Sequence, residues 1–319
     1  MPALGDVVLN FARVSPNAKY LTEASLSPMP RVLVLGAGGW FGQTFLSLIE
    51  SVPFQLMLIG RDERKLVVNG RVYSVEEWNR SKVELFQPQM IIDFAFLTRN
   101  YLEDYGWERY VTTNRALMDR VLWLASLNSV TQILTVSSGA AMTDHHPMLD
   151  RLKLDPYGAL KSQFEAQLPA IAAKNGVSVV IARAWSVSGG LVRDPKSYAL
   201  SDFVLQAKQD KHIEICAESL VFRRYCAIED FIAIALSIFT DGGTLVLDSG
   251  GTLVEMAELA EEIARQIPGT VVSEKHTGRS RAKTTFYGSD NEGWLVALRK
   301  KNFVPLTFPE QIESVIRSI

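Results

Sequence analysis

The sequence predicts an α/β protein: a doubly wound parallel sheet followed by a smaller mixed α/β lobe. Three observations point there. Short apolar runs alternate with helical patterns from Arg31 to Ala182, and such alternation buries a parallel sheet between helices. The first apolar run ends in a glycine cluster, Gly36-Ala-Gly38-Gly39-Trp40-Phe41-Gly42. A chain of 319 residues with 47% hydrophobic and 21% charged residues is long enough for two globular lobes and too apolar for a disordered chain.

The elements follow in order. Residues 1–29 are weakly patterned and carry Pro16 and Pro28. They form an arm or extension before the fold, packing on a neighbour or lying upstream of a natural start at Met29. Arg31–Leu35 is a buried strand. A helix follows over Gly42–Ser51, then strands over Phe54–Ile59 and Met90–Ala95. Asn114–Ser126 carries Leu117, Val121, Leu122 and Leu124 with helical periodicity. Gln132–Val136 is the next strand. Pro156–Ala173 is a helix closed by Asn175-Gly176, and Val177–Ala182 is another strand. The dinucleotide-type domain thus runs over 30–190, and 191–319 forms the second lobe. Helices are expected at Ser201–Lys208, Ile228–Phe239 and Val254–Ile267. The strand Thr244–Asp248, within 240–250, returns to the first sheet. Residues 271–286 have no clear pattern. The tail gives helices over Asp290–Lys301 and Pro309–Ile316.

Composition narrows the function. Lys+Arg 33 against Asp+Glu 35 leaves no basic surplus for nucleic acid or anionic membranes. Two cysteines and four histidines supply neither a disulfide framework nor a histidine-rich metal centre. No apolar run approaches the roughly 20 residues of a membrane helix, and no signal-peptide pattern opens the chain. A soluble, cytoplasmic protein without metal is the expectation.

The glycine cluster sits between a strand and a helix, where glycines at 36, 39 and 42 let the backbone approach a pyrophosphate. The helix N-terminus behind them offers free N–H groups to that anion. Trp40 and Phe41 either shield the pyrophosphate or pack on the next helix. Ala95, ending a later strand, lies on the same side. A carboxylate ending the second strand would hold the ribose hydroxyl of NAD; Gly60-Arg61 stands there instead. A guanidinium can bind a 2′-phosphate, so NADP(H) is expected over NAD(H), unless Arg61 is merely solvated and Asp62 turns to the ribose.

Asp155-Pro156-Tyr157-Gly-Ala-Leu-Lys161 opens a helix with good N-cap and N1 residues. Tyr157 and Lys161 share a face, and a nearby ammonium favours the phenolate. The phenol then serves as acid or base while the lysine holds a ribose. Ser138 ends the preceding strand and can bond the oxygen being converted; Ser137 reads as part of a strand-ending turn.

Together these pieces resemble the extended short-chain dehydrogenase/reductases of the NAD(P)-dependent epimerase/dehydratase kind, which often act on nucleotide sugars. Gly36-x-x-Gly39-x-x-Gly42, Asn114, Val136-Ser-Ser138, Tyr157-x-x-x-Lys161 and Arg183-Ala-Trp-Ser-Val-Ser-Gly189 run in family order, followed by Arg223–Asp230 and Asp248-Ser-Gly-Gly251. The resemblance covers Arg31 to the C-terminus. It implies a Rossmann domain with a C-terminal substrate lobe, and a homodimer through the helices carrying Asn114 and Tyr157. It makes Ser138 the catalytic hydroxyl, also touching substrate, Tyr157 the acid/base, Lys161 the cofactor anchor and Arg224 a contact to the sugar-nucleotide diphosphate. For Arg224 the competing role is an ion pair with Glu229 or Asp230; Asp230 itself reads as a helix cap.

Departures matter too. Gly139-Ala140 stands where the 4,6-dehydratases carry their Asp-Glu pair, so that dehydration is not expected. Phe94-Ala95-Phe96-Leu97 replaces the usual His-x-Ala-Ala, making the pocket more apolar. The expected activity is hydride transfer on a nucleotide-activated sugar, by epimerisation or net reduction. The alternatives are reduction of an apolar ketone, or a non-catalytic NADP-binding regulatory protein. His145 and His146 read as solvated loop residues, His212 and His276 as isolated, and Cys216 and Cys226 as buried small hydrophobes. Arg279, Arg281 and Lys283 form a basic cluster that either faces solvent or meets an anionic substrate.

Overall fold

The computed structural model describes residues 29–52, 54–142, 147–276 and 280–319. The chain runs β1 (Arg31–Leu35), α1 (Trp40–Leu48), β2 (Gln55–Gly60), β3 (Arg64–Val68), β4 (Arg71–Glu77), α2 (Arg80–Phe86) and β5 (Met90–Asp93). Then come α3 (Trp107–Leu124), β6 (Gln132–Ser138), α4 (Met148–Leu154), α5 (Pro156–Lys174), β7 (Ser178–Ala184) and β8 (Ser186–Ser188). The remainder is α6 (Ala199–Gln209), β9 (His212–Ile215), β10 (Ser219–Ala227), α7 (Ile228–Ser237), β11 (Thr244–Asp248), β12 (Thr252–Glu255), α8 (Met256–Gln266), β13 (Val271–Glu274), β14 (Ser280–Tyr287), α9 (Glu292–Lys301) and α10 (Phe308–Ser318).

Two compact units result: residues up to Ala184 with Ile232–Leu247, and Trp185–Phe231 with Asp248–Ile319. The first unit holds an eight-stranded sheet ordered β11-β7-β6-β5-β1-β2-β4-β3. β1 pairs parallel with both β2 and β5, and β5, β6 and β7 continue in parallel. The sheet's middle is β1 and β5, whose apolar side chains are fully or almost fully buried. From β1 the chain winds outward to β2 and β4, then jumps back to β5. The order therefore reverses between β1 and β5, and open α/β sheets bind ligands at the carboxyl ends of such strands.

The β2-to-β4 connection departs from the helical crossover that alternation predicts. An edge strand, β3, pairs antiparallel with β4 from Arg64↔Val75 to Val68↔Arg71. Asn69 and Gly70 close the hairpin, both with positive φ (49° and 80°). That is the mirror-image turn which matches strand twist.

Helices α3 and α5 bury Tyr110, Asn114, Leu124, Leu160, Phe164 and Leu168 in the core of this unit. α5 starts where its sequence says it should: Asp155 Oδ1 accepts from Gly158 N at 3.2 Å, with Pro156 at the first turn. The second unit has a sheet ordered β12-β10-β14, with β8 also on β10, and a two-stranded β9–β13 pair. Residues 271–286, unassigned from sequence, are largely these strands. Leu200, Val204, Ile213, Leu259, Ile263 and Ile312 form its core. Among the described residues no helix is long and apolar enough to cross a membrane.

Candidate functional site

The site lies in the first unit, at the carboxyl ends of β1, β5 and β6. The glycine loop is a close-approach structure. Gly36 has φ +75°, and a Cβ there would stand 2.8 Å from Ala95 N and from the Phe94 carbonyl carbon. At Gly42 a Cβ would meet the Gly36 and Ala37 oxygens at 2.5 Å. Glycine at these two positions is thus a steric requirement. Gly39 precedes α1, whose first residues are Trp40 and Phe41. Phe41 packs on Phe94 with ring centres 5.9 Å apart. A cavity of about 350 Å³ opens beside the loop, lined by Gly36, Arg61, Trp78, Ala95, Phe96 and Arg120 among others. That volume lies within the range of small-ligand pockets.

Arg61 is exposed. It donates to Tyr105 Oη at 3.2 Å and pairs with Asp62 at 3.5 Å. Asp62 is exposed as well. A second arginine, passed over in the sequence, lies against the loop: a Cβ on Gly38 would fall 1.8 Å from an Arg64 guanidinium nitrogen. Arg120, also lining the cavity, stacks over Trp78 at 5.1 Å, and burial lowers its pKa.

Ser137 and Ser138 both belong to β6 rather than to a turn. Ser138 Oγ accepts from Ala140 N at 3.2 Å, which leaves its own hydrogen to donate. Ser137 Oγ is buried without a hydrogen-bond partner. The start of α5 presses on the residues after Ser138. A Cβ on Gly158 would meet Ala140 O at 2.6 Å, so a glycine beside Tyr157 and small residues after Ser138 bring strand end and helix start together.

Tyr157 meets Phe96 edge-to-face, ring centres 5.7 Å apart, and the Arg99 guanidinium carbon lies 5.5 Å from its ring centre. Lys161 is buried. Its Nζ donates to Val136 O at 2.6 Å and lies 3.9 Å from the centre of the Phe96 ring. Burial pushes its pKa down to about 8, against the upward pull of Asp93 and Glu165. Asp93 is buried at the end of β5, where its oxygens accept from Ala95 N (3.1 Å) and Thr135 Oγ1 (2.8 Å). Burial pushes that carboxyl up, and Lys161 pulls it down. Asn114, fully buried, accepts from Leu97 N at 2.8 Å and donates to Leu97 O, and so fixes the segment that carries Phe96.

Sequence reasoning passed over Asp93, Phe96's contact with Lys161, Arg64 and Arg99. Asp93 had a signal, a carboxylate closing the otherwise apolar Met90-Ile-Ile run. Arg64 and Arg99 had none, because folding alone brings them to the loop and the ring. Phe96 lines the cavity and also touches Tyr157 and Lys161.

In the second unit, Arg224 Nε donates to Ser289 O and Nη1 to Gly251 O, both at 3.1 Å. The ion pair to Glu229 or Asp230 considered from sequence is replaced by these carbonyls. Asp230 sits in the first turn of α7 and accepts from Leu306 N at 2.7 Å, so it ties down a distant loop rather than capping its own helix. Cys216 is exposed, against the expectation of burial, and Cys226 is buried. His212 Nε2 hydrogen-bonds Ser273 Oγ at 2.7 Å. His276 and Lys283 are exposed. His145, His146, Arg279 and the Arg281 side chain lie outside the described residues, as does the arm up to residue 28.

The model of the "NAD dependent epimerase/dehydratase family" matches residues 32–245. No curated protein matches the sequence. Among solved structures, UDP-glucose 4-epimerase from Thermotoga maritima is 16% identical with a TM-score of 0.69, covering 90% of this chain and 98% of that one. UDP-glucose 4-epimerase from Brucella ovis in complex with NAD is 18% identical with a TM-score of 0.68, covering 91% and 97%. TunA, an NAD dependent NDP-hexosamine 5,6-dehydratase, is 14% identical with a TM-score of 0.65, covering 90% and 96%. At these identities the likeness speaks for the fold.

Proposed function

Because the chain belongs to the NAD dependent epimerase/dehydratase family, we propose that it is a nicotinamide-dependent enzyme converting a nucleotide-activated sugar at a carbinol carbon. The observation that carries this reading is a single juxtaposition. Phe96 lines the cavity beside the glycine loop and also touches Tyr157 and Lys161.

The residues present fit a dinucleotide. The two glycines that exclude a Cβ, with α1 behind them, make a cradle for a pyrophosphate. Gly36, Gly39, Trp40, Phe41 and Gly42 would hold that part, Ala95 would flank it, and Arg61 with Arg64 would face the adenosine ribose. The bound nicotinamide supplies the hydride acceptor and donor. This chain's own groups handle the proton. Tyr157 Oη takes it from the substrate hydroxyl on oxidation and returns it on reduction. Ser138 Oγ donates a hydrogen bond to the same oxygen, where negative charge develops. Lys161 anchors the ribose hydroxyls. A homodimer through α3 and α5 goes with this reading.

The choice of dinucleotide turns on Arg61 and Arg64. Two arginines and no carboxylate at the end of β2 support NADP(H). The NAD named with the Brucella ovis epimerase, and the engagement of Arg61 by Asp62 and Tyr105, support NAD(H). Dissociation constants for the two forms separate them, and tighter NAD binding removes the NADP expectation.

Turnover of a panel of nucleotide sugars by the wild-type protein and Tyr157→Phe tests the proposal. The variant is expected to keep dinucleotide binding and to lose at least about 100-fold in kcat. Undiminished turnover would sink the assignment of Tyr157. Reduction of an apolar ketone remains the second reading, supported by the phenyl ring of Phe96 beside Tyr157; it requires no diphosphate on the substrate.

A further inference from the structure

A tyrosine used as a base at neutral pH needs a cation close to its ring. The sequence assigns that task to Lys161. In the fold, Lys161 is drawn to Val136 O, covered by the Phe96 ring and faced by the carboxylates of Asp93 and Glu165. A second cation stands over Tyr157. The Arg99 guanidinium carbon lies 5.5 Å from the ring centre, within the range in which a guanidinium is attracted to an aromatic face. Its Nη2 pairs with Asp155 Oδ2 at 2.6 Å. Asp155 Oδ1 meanwhile caps the helix that begins with Pro156 and Tyr157. One carboxylate therefore fixes the helix that carries the phenol and the arginine that lies on it. A cavity of about 360 Å³, lined by Arg99, Asp155 and Tyr157 with Leu102 and Tyr110, opens on this side.

We propose that Arg99 is a positioning residue for the reaction: held by Asp155, it fixes the Tyr157 ring and favours its phenolate, adding to the charge that Lys161 supplies. The inference rests on the reading of Tyr157 as the acid/base.

Among the described residues, the charged and titratable groups around the phenol come from three elements and the segment after β5. From α5 and its cap come Asp155, which opposes the phenolate, and Lys161. From α3 comes Tyr110, whose hydroxyl donates to Leu97 O at 2.7 Å and whose pKa burial pushes up, so it stays neutral. Behind Lys161 stands Asp93, which offsets the ammonium. The segment after β5 contributes Arg99, which offsets Asp155. Removing Arg99 therefore leaves Asp155 uncompensated beside the phenol. A unit charge at this distance, half exposed to water, is worth about one pH unit in the phenol's titration.

The test reads that titration directly. Ultraviolet difference spectra of wild type against Tyr157→Phe isolate the Tyr157 phenolate. Arg99→Gln is expected to move its midpoint up by about one pH unit, and Arg99→Lys to restore most of the shift. The acid limb of the pH profile for substrate oxidation should move with the spectroscopic midpoint. The Arg99 side chain is 56% exposed, so its replacement leaves the core packed. An unmoved midpoint in Arg99→Gln, or a shift that Arg99→Lys leaves unrestored, overturns the proposal. Full turnover by Tyr157→Phe would instead overturn the reading beneath it, while leaving the phenol titration interpretable.

Discussion

Asp230→Asn is expected to stabilise the protein at pH 8 and to have little effect near pH 4. The Asp230 carboxyl is 7% exposed. Burial pushes its pKa up to about 7, with Glu229 and Glu310 adding to the rise and the bond from Leu306 N working against it. An unfolded aspartate titrates near 3.9. Between those values the folded state keeps a proton that the unfolded state has lost. Stability therefore falls as pH rises through this window, and the loss is complete above about pH 7. Three pH units correspond to at most about 4 kcal/mol. Asparagine keeps an oxygen for Leu306 N and carries no charge. The gain at pH 8 should thus be about 2–4 kcal/mol, or roughly 3–6 °C in Tm for a chain of this length. Glu229, also pushed up by burial, is present in both proteins and cancels from the difference. Urea unfolding of the two proteins at intervals from pH 4 to 8 measures that difference. A difference that does not vary with pH, or a less stable variant at pH 8, would refute the reasoning.

Two further outcomes are expected. Gly36→Ala should weaken dinucleotide binding at least about 10-fold in titration calorimetry, because the new methyl must displace backbone atoms 2.8 Å away at a position with φ +75°. Glu165→Gln should cost about 3 kcal/mol in urea unfolding: Glu165 accepts three bonds from Arg183 at 2.6–3.0 Å, and the side chains are only 10% and 16% exposed.

The parallel sheet and the glycine loop were legible because their signals are local. Arg31–Leu35 and Met90–Asp93 are apolar runs with turns behind them, and Asp155-Pro156 announces a helix start in two letters. The β3–β4 hairpin was equally local, since Asn69-Gly70 sits between Val67-Val68 and Val72, but the prior of a helical crossover hid it. Arg64 and Arg99 belong to another class. Nothing in their own neighbourhoods marks them. Arg64 reaches Gly38 because β3 runs back along the sheet edge, and Arg99 reaches Tyr157 because Asp155 holds it across 56 residues of chain. The carbonyl partners of Arg224 were hidden for the same reason: Gly251 and Ser289 lie 27 and 65 residues away.

Phe96, Lys161 and Asp93 form one arrangement. An aromatic ring at position 96 strips water from Lys161, whose Nζ lies 3.9 Å from the ring centre. A buried ammonium without a counter-charge tends to lose its proton. The carboxylate at 93 answers that cost, and it is itself kept ionisable by bonds from Ala95 N and Thr135 Oγ1. The pair then holds Lys161 against the end of β6, where Val136 O takes its hydrogen bond. A lysine so placed is set to anchor a ligand at the sheet edge. Arg99 adds a second cation over the Tyr157 ring that Phe96 also touches. Phe96 touches both Lys161 and Tyr157, so exchanging it is expected to change the setting of the lysine and of the phenol together.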